Sequence, residues 1–221
     1  MIPIKDNIPS RTVPVVLYAL ILLNAYIFYQ ELTVSDDDME MLLEQFGLVP
    51  ADFLNGWKVS PWSPALYIPF VTNLFFHGGW LHIIGNMWYL RIFGDNIEDR
   101  LGHGSFLLFY LLCGVAANAA QIFVEPAGDV PTIGASGAIS GVLGAYLVSY
   151  PGAKVKTIIP IFIIFTVLEV PAVLFLGIWF LAQLQSGAAS LSMAGTNVAW
   201  WAHIGGFVSG MVLIGLFPRR R

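Results

Sequence analysis

The feature that most restricts this chain is the recurrence of apolar segments about as long as a bilayer is thick. A spanning helix needs about 20 mostly apolar residues, and the sequence supplies six such segments: 14–30, 78–97, 104–124, 134–150, 157–183 and 199–217. The fourth is short and rich in small residues between Gly134 and Gly144. The fifth is long and carries Pro160 and Pro171, which predicts a tilt or kink. With 57% hydrophobic and 11% charged residues there is too little polar surface for a soluble domain of 221 residues. The expected fold class is all-α, a polytopic membrane protein built as a six-transmembrane-helix bundle. None of the segments is the lone apolar run of a cleaved signal peptide, so the first is expected to remain in the mature protein. A single cysteine, Cys113, excludes an internal disulfide and reads as packing.

Residues 1–13 read as a short cytoplasmic N-terminal tail and 14–221 as one helical domain with a large first loop, about 31–77. That loop holds the acidic run Asp36, Asp37, Asp38, Glu40 and Glu44, expected to be a solvated turn and helix start. The stretch "NGWKVSPWSPALYIPF" follows, whose tryptophans suit the headgroup level of a membrane surface. Lys5, Arg11, Arg91, Arg100, Lys154, Lys156, Arg219, Arg220 and Arg221 all fall on one side of this arrangement, nine of the ten basic residues, with Lys58 the exception. The positive-inside rule then puts both ends of the chain in the cytoplasm. The expected location is an integral, multi-pass membrane protein of a prokaryotic plasma membrane.

With this orientation the second, fourth and sixth segments run from outside to inside, and each carries a polar group in its first turns. They are His82 and Asn86, Ser136, and His203. A polar or ionisable group within a span is costly unless it meets water or a partner, so it is a functional candidate by default. Singly, each could be a helix–helix hydrogen bond. Together, serine, histidine and an amide are the nucleophile, general base and oxyanion donor of acyl transfer. His82 and Asn86 are four residues apart and share one helical face. Ser136 starts its helix, where N–H groups have no intrahelical partner.

Small residues supply the geometry. Gly134, Gly137, Gly141 and Gly144 line the fourth segment, and Gly206 and Gly210 form a small-xxx-small pair just beyond His203. Such faces let two backbones approach closely, and only then does a serine side chain reach an imidazole on the next helix. Ser140, one turn below Ser136, is expected to bond back to its own helix.

The stretches "GASG" (134–137), "AHIGGFVSG" (202–210), "HIIGN" (82–86) and "EDRLG" (98–102) resemble the motifs of the rhomboid intramembrane serine proteases, over essentially residues 70–217. The resemblance implies a Ser136–His203 dyad without an acidic third member. It also implies an oxyanion site from the Ser136 N–H with the side chains of His82 and Asn86. It implies transmembrane protein substrates, the lipid bilayer as partner, a mobile fifth helix with an outer cap, and neither cofactor, metal nor nucleic acid. One departure is Ser140, where many relatives carry an aromatic ring that stacks on the catalytic histidine.

Glu98 and Arg100 read as a structural staple, His77 as a residue that orders the first loop, and His103 as a solvated loop residue. Glu169, placed inside the fifth segment, reads either as a protonated or hydrogen-bonded carboxyl or as a hydrated position at a substrate gate. The function expected is an intramembrane serine endopeptidase. The alternative is an inactive rhomboid-like protein that holds membrane clients, against which the complete set of four polar residues argues. A small transporter would carry paired broken helices in internal repeats, and the sequence has none.

Overall fold

The computed structural model of the chain describes residues 1–161, 164–191 and 198–220. Helix α1 (Val15–Glu31) starts after Pro14 without a local side-chain cap. Its first N–H groups are met instead by Glu98, in the last turns of α5 (Trp80–Leu101). The carboxylate accepts from Val16 at 2.9 Å and from Leu17 at 2.8 Å. A remote acid at this point satisfies orphan donors and lies at the positive end of the helix dipole. Asp99 accepts from the N–H groups of Arg11 and Thr12 at 2.9 and 3.0 Å. The carbonyl of Arg100 accepts from Arg220 at 2.8 Å. The "EDRLG" stretch is therefore a staple that fastens both terminal segments to one end of the bundle. His103 departs from its reading as a loop residue: it opens α6 (His103–Val124) and, with its side chain 42% exposed, pairs through Nδ1 with buried Glu98.

Helices α7 (Ser136–Ser149), α8 (Ala172–Ser190) and α9 (Trp200–Leu213) complete six helices of 14 residues or more among the described residues. By length and composition, α6 and α8 are the two able to cross a membrane on their own. Helix α5 carries Arg91, Asp95, Glu98 and Asp99 in its second half. Helix α7 is about 21 Å long at about 1.5 Å per residue, short of a hydrocarbon layer of about 30 Å. It does not need the full length, because ten of its 14 residues are buried against protein. Outward-facing Leu22, Leu81, Phe123 and Leu181 are 64–89% exposed. Such a belt of large apolar groups is unfavourable in water and suited to lipid.

The largest departure from the sequence expectation lies at 154–171. The fifth segment, 157–183, is not one helix; residues 162 and 163 within it, like Arg221 of the basic-residue pattern, lie outside the described residues. Strands β2 (Lys154–Ile161) and β3 (Ile164–Pro171) pair antiparallel, and β1 (Ile2–Asp6) pairs antiparallel with β2, giving a sheet of order β1-β2-β3. Hydropathy does not distinguish helix from strand here, but "KVKTIIPI" and "IFTVLEVP" are rich in the β-branched residues that favour a pleated surface. The β1–β2 register ends at Ile2 opposite Ile158, so Pro160 lies past it and is paired on one side alone, opposite Phe165 of β3. Pro171 closes β3 and stands as N-cap of α8.

Two readings change with this. Within the N-terminal tail, residues 2–6 form a strand paired with β2, which the sequence reading did not include. Glu169 lies on β3 with its side chain 61% exposed, 3.7 Å from the Lys154 ammonium, so it is neither an intramembrane acid nor a gate residue.

The sheet is fastened to the bundle where the Tyr146 hydroxyl of α7 donates to Asp6. Burial pushes the Asp6 carboxyl up to about 6, helped by nearby Asp95 and opposed by the Tyr146 bond. A carboxyl raised above its ordinary value takes up its proton in the folded state first. Its contribution to stability therefore grows as pH falls through about 6 towards 4 and is least at neutral pH and above. Asp6→Asn should diminish the gain in thermal midpoint between pH 7.5 and pH 5. An unchanged gain would place its source elsewhere.

Candidate active site

The first loop builds one wall of the site. Ser35 caps α2 (Asp36–Phe46), accepting from Asp38 at 3.2 Å, and three acids fill the first turn. The acidic run is thus a helix start, as its composition suggests. After α2 the chain runs through α3 (Pro50–Val59) and α4 (Pro69–Thr72). Leu48 exchanges both backbone hydrogen bonds with Thr132, at 3.1 and 2.8 Å, and Ala51 donates to Gly128 at 3.0 Å. These bonds fasten the first loop to the segment that leads into α7. Asn73 completes the hold: its carbonyl accepts from Gly134 at 2.8 Å, and its side-chain amide exchanges hydrogen bonds with that of Asn118.

His77 is buried, as a residue that orders this loop. Its N–H donates to Glu31 and its Nδ1 to the carbonyl of Phe75 at 3.2 Å. Burial and adjacent His82 pull its imidazole down to about 4, so the ring is neutral at neutral pH.

The glycines then bring two helices together. A Cβ placed on Gly206 would overlap the carbonyl oxygen of Gly137, and one on Gly210 that of Gly141. Helices α7 and α9 therefore touch backbone to backbone. Gly137 and Gly141 also admit Ala117 and Cys113 of α6, which accounts for Cys113 as packing. Gly134 is the exception to the packing role. It precedes α7 at φ +115°, a conformation that favours glycine, and a Cβ there would stand 2.6 Å from His82 Nε2 and 3.6 Å from Asn86 Nδ2. Its missing side chain leaves an open cradle in front of those two groups.

At that approach Ser136 Oγ lies 2.8 Å from His203 Nε2. Ser136 is the first residue of α7, so its N–H stands ahead of the helix ladder. His82 Nδ1 accepts from Gly78 at 3.3 Å, which puts the ring proton on Nε2, facing the cradle. The Asn86 Nδ2 is buried and has no hydrogen-bond partner among the described residues. An orphaned buried donor is costly, and here it points to a place for an incoming acceptor. Ser140 is 1% exposed and donates to the carbonyl of Ser136 at 2.6 Å, so it is closed off within its own helix.

All four polar residues picked out in the sequence thus line one cleft of about 1150 Å³. Sequence reasoning missed what holds the imidazole. Trp179 of α8 lies 6.3 Å from the His203 ring, inclined at 34°, and Trp200 meets it edge-on at 5.9 Å. Two rings thus flank the imidazole from α8 and α9, while position 140 supplies none. Gln183, one turn after Trp179, accepts from His203 Nδ1 at 2.8 Å. The signal was an amide four residues after a tryptophan in an apolar run, which shares its face. The loop between α8 and α9, where an outer cap would lie, falls largely on 192–197, outside the described residues.

A serine paired with an imidazole that can take its proton, beside donors aimed at an empty cradle, is the constellation of a serine acyl-transfer site. The description "Rhomboid domain" matches residues 64–220, and the chain belongs to the rhomboid family, whose members are embedded in membranes. It is 31% identical over 164 residues to Rhomboid-like protein 11, chloroplastic, of Arabidopsis thaliana, covering 71% of this chain and 54% of that protein. It is 30% identical over 163 residues to Presenilin-associated rhomboid-like protein A, mitochondrial, of Danio rerio, covering 71% and 39%. Over 77 residues it is 36% identical to the Putative rhomboid protease YdcA of Bacillus subtilis, covering 35% and 38%. The chain thus spans about half the length, or less, of these relatives. The chloroplast and mitochondrial names of the first two are at odds with the expectation of a prokaryotic plasma membrane, while the third is a bacterial protein.

Proposed function

We propose that this chain is an intramembrane serine endopeptidase that cleaves transmembrane protein substrates in or near their membrane segment. The observation that carries the reading is the 2.8 Å contact between Ser136 Oγ and His203 Nε2, facing a cradle whose Asn86 donor is otherwise unpartnered. In this reading Ser136 attacks the scissile carbonyl while His203 takes its proton. The Ser136 N–H, His82 Nε2 and Asn86 Nδ2 receive the oxyanion. His203 then returns the proton to the leaving amine, and water repeats the sequence on the acyl-enzyme. Fluorophosphonate labelling of the purified protein at Ser136, with cleavage of a transmembrane substrate in proteoliposomes, tests it. An intact, folded protein that neither labels nor cleaves would favour the client-binding alternative.

The oxyanion assignment carries its own prediction. His82→Ala and Asn86→Ala should lower turnover by about 10²-fold each while leaving folding and substrate affinity largely intact, because they act on charge present mainly in the transition state. Steady-state kinetics of both single variants and the double measure it. Unchanged turnover in all three would remove these residues from the role.

The topology proposed has six spans, with both ends of the chain and the 151–156 segment in the cytoplasm. Seven basic residues beside the helix ends on one side support that orientation, Lys5, Arg11, Arg100, Lys154, Lys156, Arg219 and Arg220, while Arg91 lies midway along α5. A cysteine introduced at position 128 should react with a membrane-impermeant reagent only from the outer side. Reaction from the cytoplasmic side alone would reverse the topology.

A further inference from the structure

A neutral imidazole can accept the proton of Ser136 at Nε2 only if its own proton sits on Nδ1. That Nδ1–H lies in a cleft wall made of Trp179, Trp200 and α8, where an unbonded donor would be costly. The acceptor it meets is Gln183 Oε1, at 2.8 Å. Which way the amide faces is itself fixed, because Gln183 Nε2 donates to the carbonyl of Trp179 at 3.3 Å. Flipping the amide would set its oxygen against that carbonyl and its NH2 against Nδ1–H. Both contacts would then be repulsive. Gln183 is only 8% exposed, so water competes little for either bond.

We infer that Gln183 is the third member of this site, a positioning residue that holds His203 with its proton on Nδ1 and its Nε2 turned to Ser136. The inference rests on the protease reading above for its consequence in catalysis, and on the hydrogen bonds alone for the tautomer. An amide suits this location better than a carboxylate. A carboxylate buried at this depth would be costly to ionise, whereas a neutral carbonyl accepts from both the neutral ring and the imidazolium formed during acyl transfer. The same turn of α8 supplies the ring of Trp179 and the amide of Gln183. The base is therefore aligned only while α8 lies against α9.

The test compares Gln183→Leu, which keeps the volume and removes the acceptor, with Gln183→Glu, which keeps an acceptor. Three quantities are read: the thermal midpoint, kcat and KM on a transmembrane substrate, and the ring-nitrogen NMR signals of His203. The wild-type protein should show Nδ1 protonated. Gln183→Leu should lower kcat about 10–10²-fold with little change in KM or thermal midpoint, and should lose that tautomer. Gln183→Glu should recover most of the loss. A wild-type ring protonated on Nε2, or a Gln183→Leu protein with wild-type kcat and tautomer, overturns the role. If Nδ1 is protonated in the wild type and not in Gln183→Leu, yet neither protein labels nor cleaves, the protease reading fails and the positioning of His203 by Gln183 stands.

Discussion

Ser136→Ala and His203→Ala should each abolish proteolysis and fluorophosphonate labelling, while Ser140→Ala keeps measurable activity. The two serines are one helical turn apart, and in the sequence Ser136 is favoured because it starts the helix. Their surroundings decide it. Ser136 Oγ meets an imidazole nitrogen free to take its proton and opens to the cleft. Ser140 Oγ is buried and spends its proton on the carbonyl of Ser136. Removing either half of a nucleophile–base pair costs on the order of 10⁴–10⁶ in rate. Removing the Ser140 hydroxyl loses one back-bond within a helix, an effect of about 1 kcal/mol or less on stability. Mass spectrometry of the labelled protein separates them. Probe attached at Ser140, or cleavage surviving in Ser136→Ala, would mean that the dyad is wrongly assigned.

What made the Ser136–His203 pair legible in the sequence was scarcity. In an apolar span every polar side chain stands out, and every run of glycines has to serve a close approach, so Ser136, His203, His82 and Asn86 could be picked out before their distances were known. The limits of α1, α5, α6 and α7 were also within reach, because Pro14, Gly102 and the loop glycines mark them. Residues 154–171 were opaque for the opposite reason. Their hydropathy matches a span, and what makes them strands is the supply of β-branched residues together with pairing to Ile2–Asp6, some 150 positions away. Glu169 was misplaced as a direct result. Gln183 ends the apolar segment 157–183, and its face is hidden as long as that segment is taken as one helix. Once α8 starts at Ala172, Trp179 and Gln183 fall on its inner face.

Gly210→Ala should be among the most damaging single-methyl changes available in this chain, and Gly206→Ala close behind it. On propensity alone, glycine to alanine inside a helix gains up to about 1 kcal/mol. That gain is outweighed here, because the new Cβ of residue 210 would overlap the carbonyl oxygen and backbone of Gly141, and that of residue 206 the carbonyl of Gly137. A backbone atom has no rotamer to retreat into, so the helices must separate. Overpacking of this kind costs about 1–3 kcal/mol, and in lipid no hydrophobic force drives them back together. Activity should suffer more than stability. His203 is one turn from Gly206 on α9, and a displacement of about 1 Å is enough to lose about 10² in rate. Gly177→Ala on α8 is the matched control: nothing lies within 4 Å of its added Cβ, so only the propensity gain remains and its thermal midpoint should hold or rise. Wild-type midpoint and labelling rate in Gly210→Ala would show that the α7–α9 contact tolerates a methyl group, and that some other device brings Ser136 to His203.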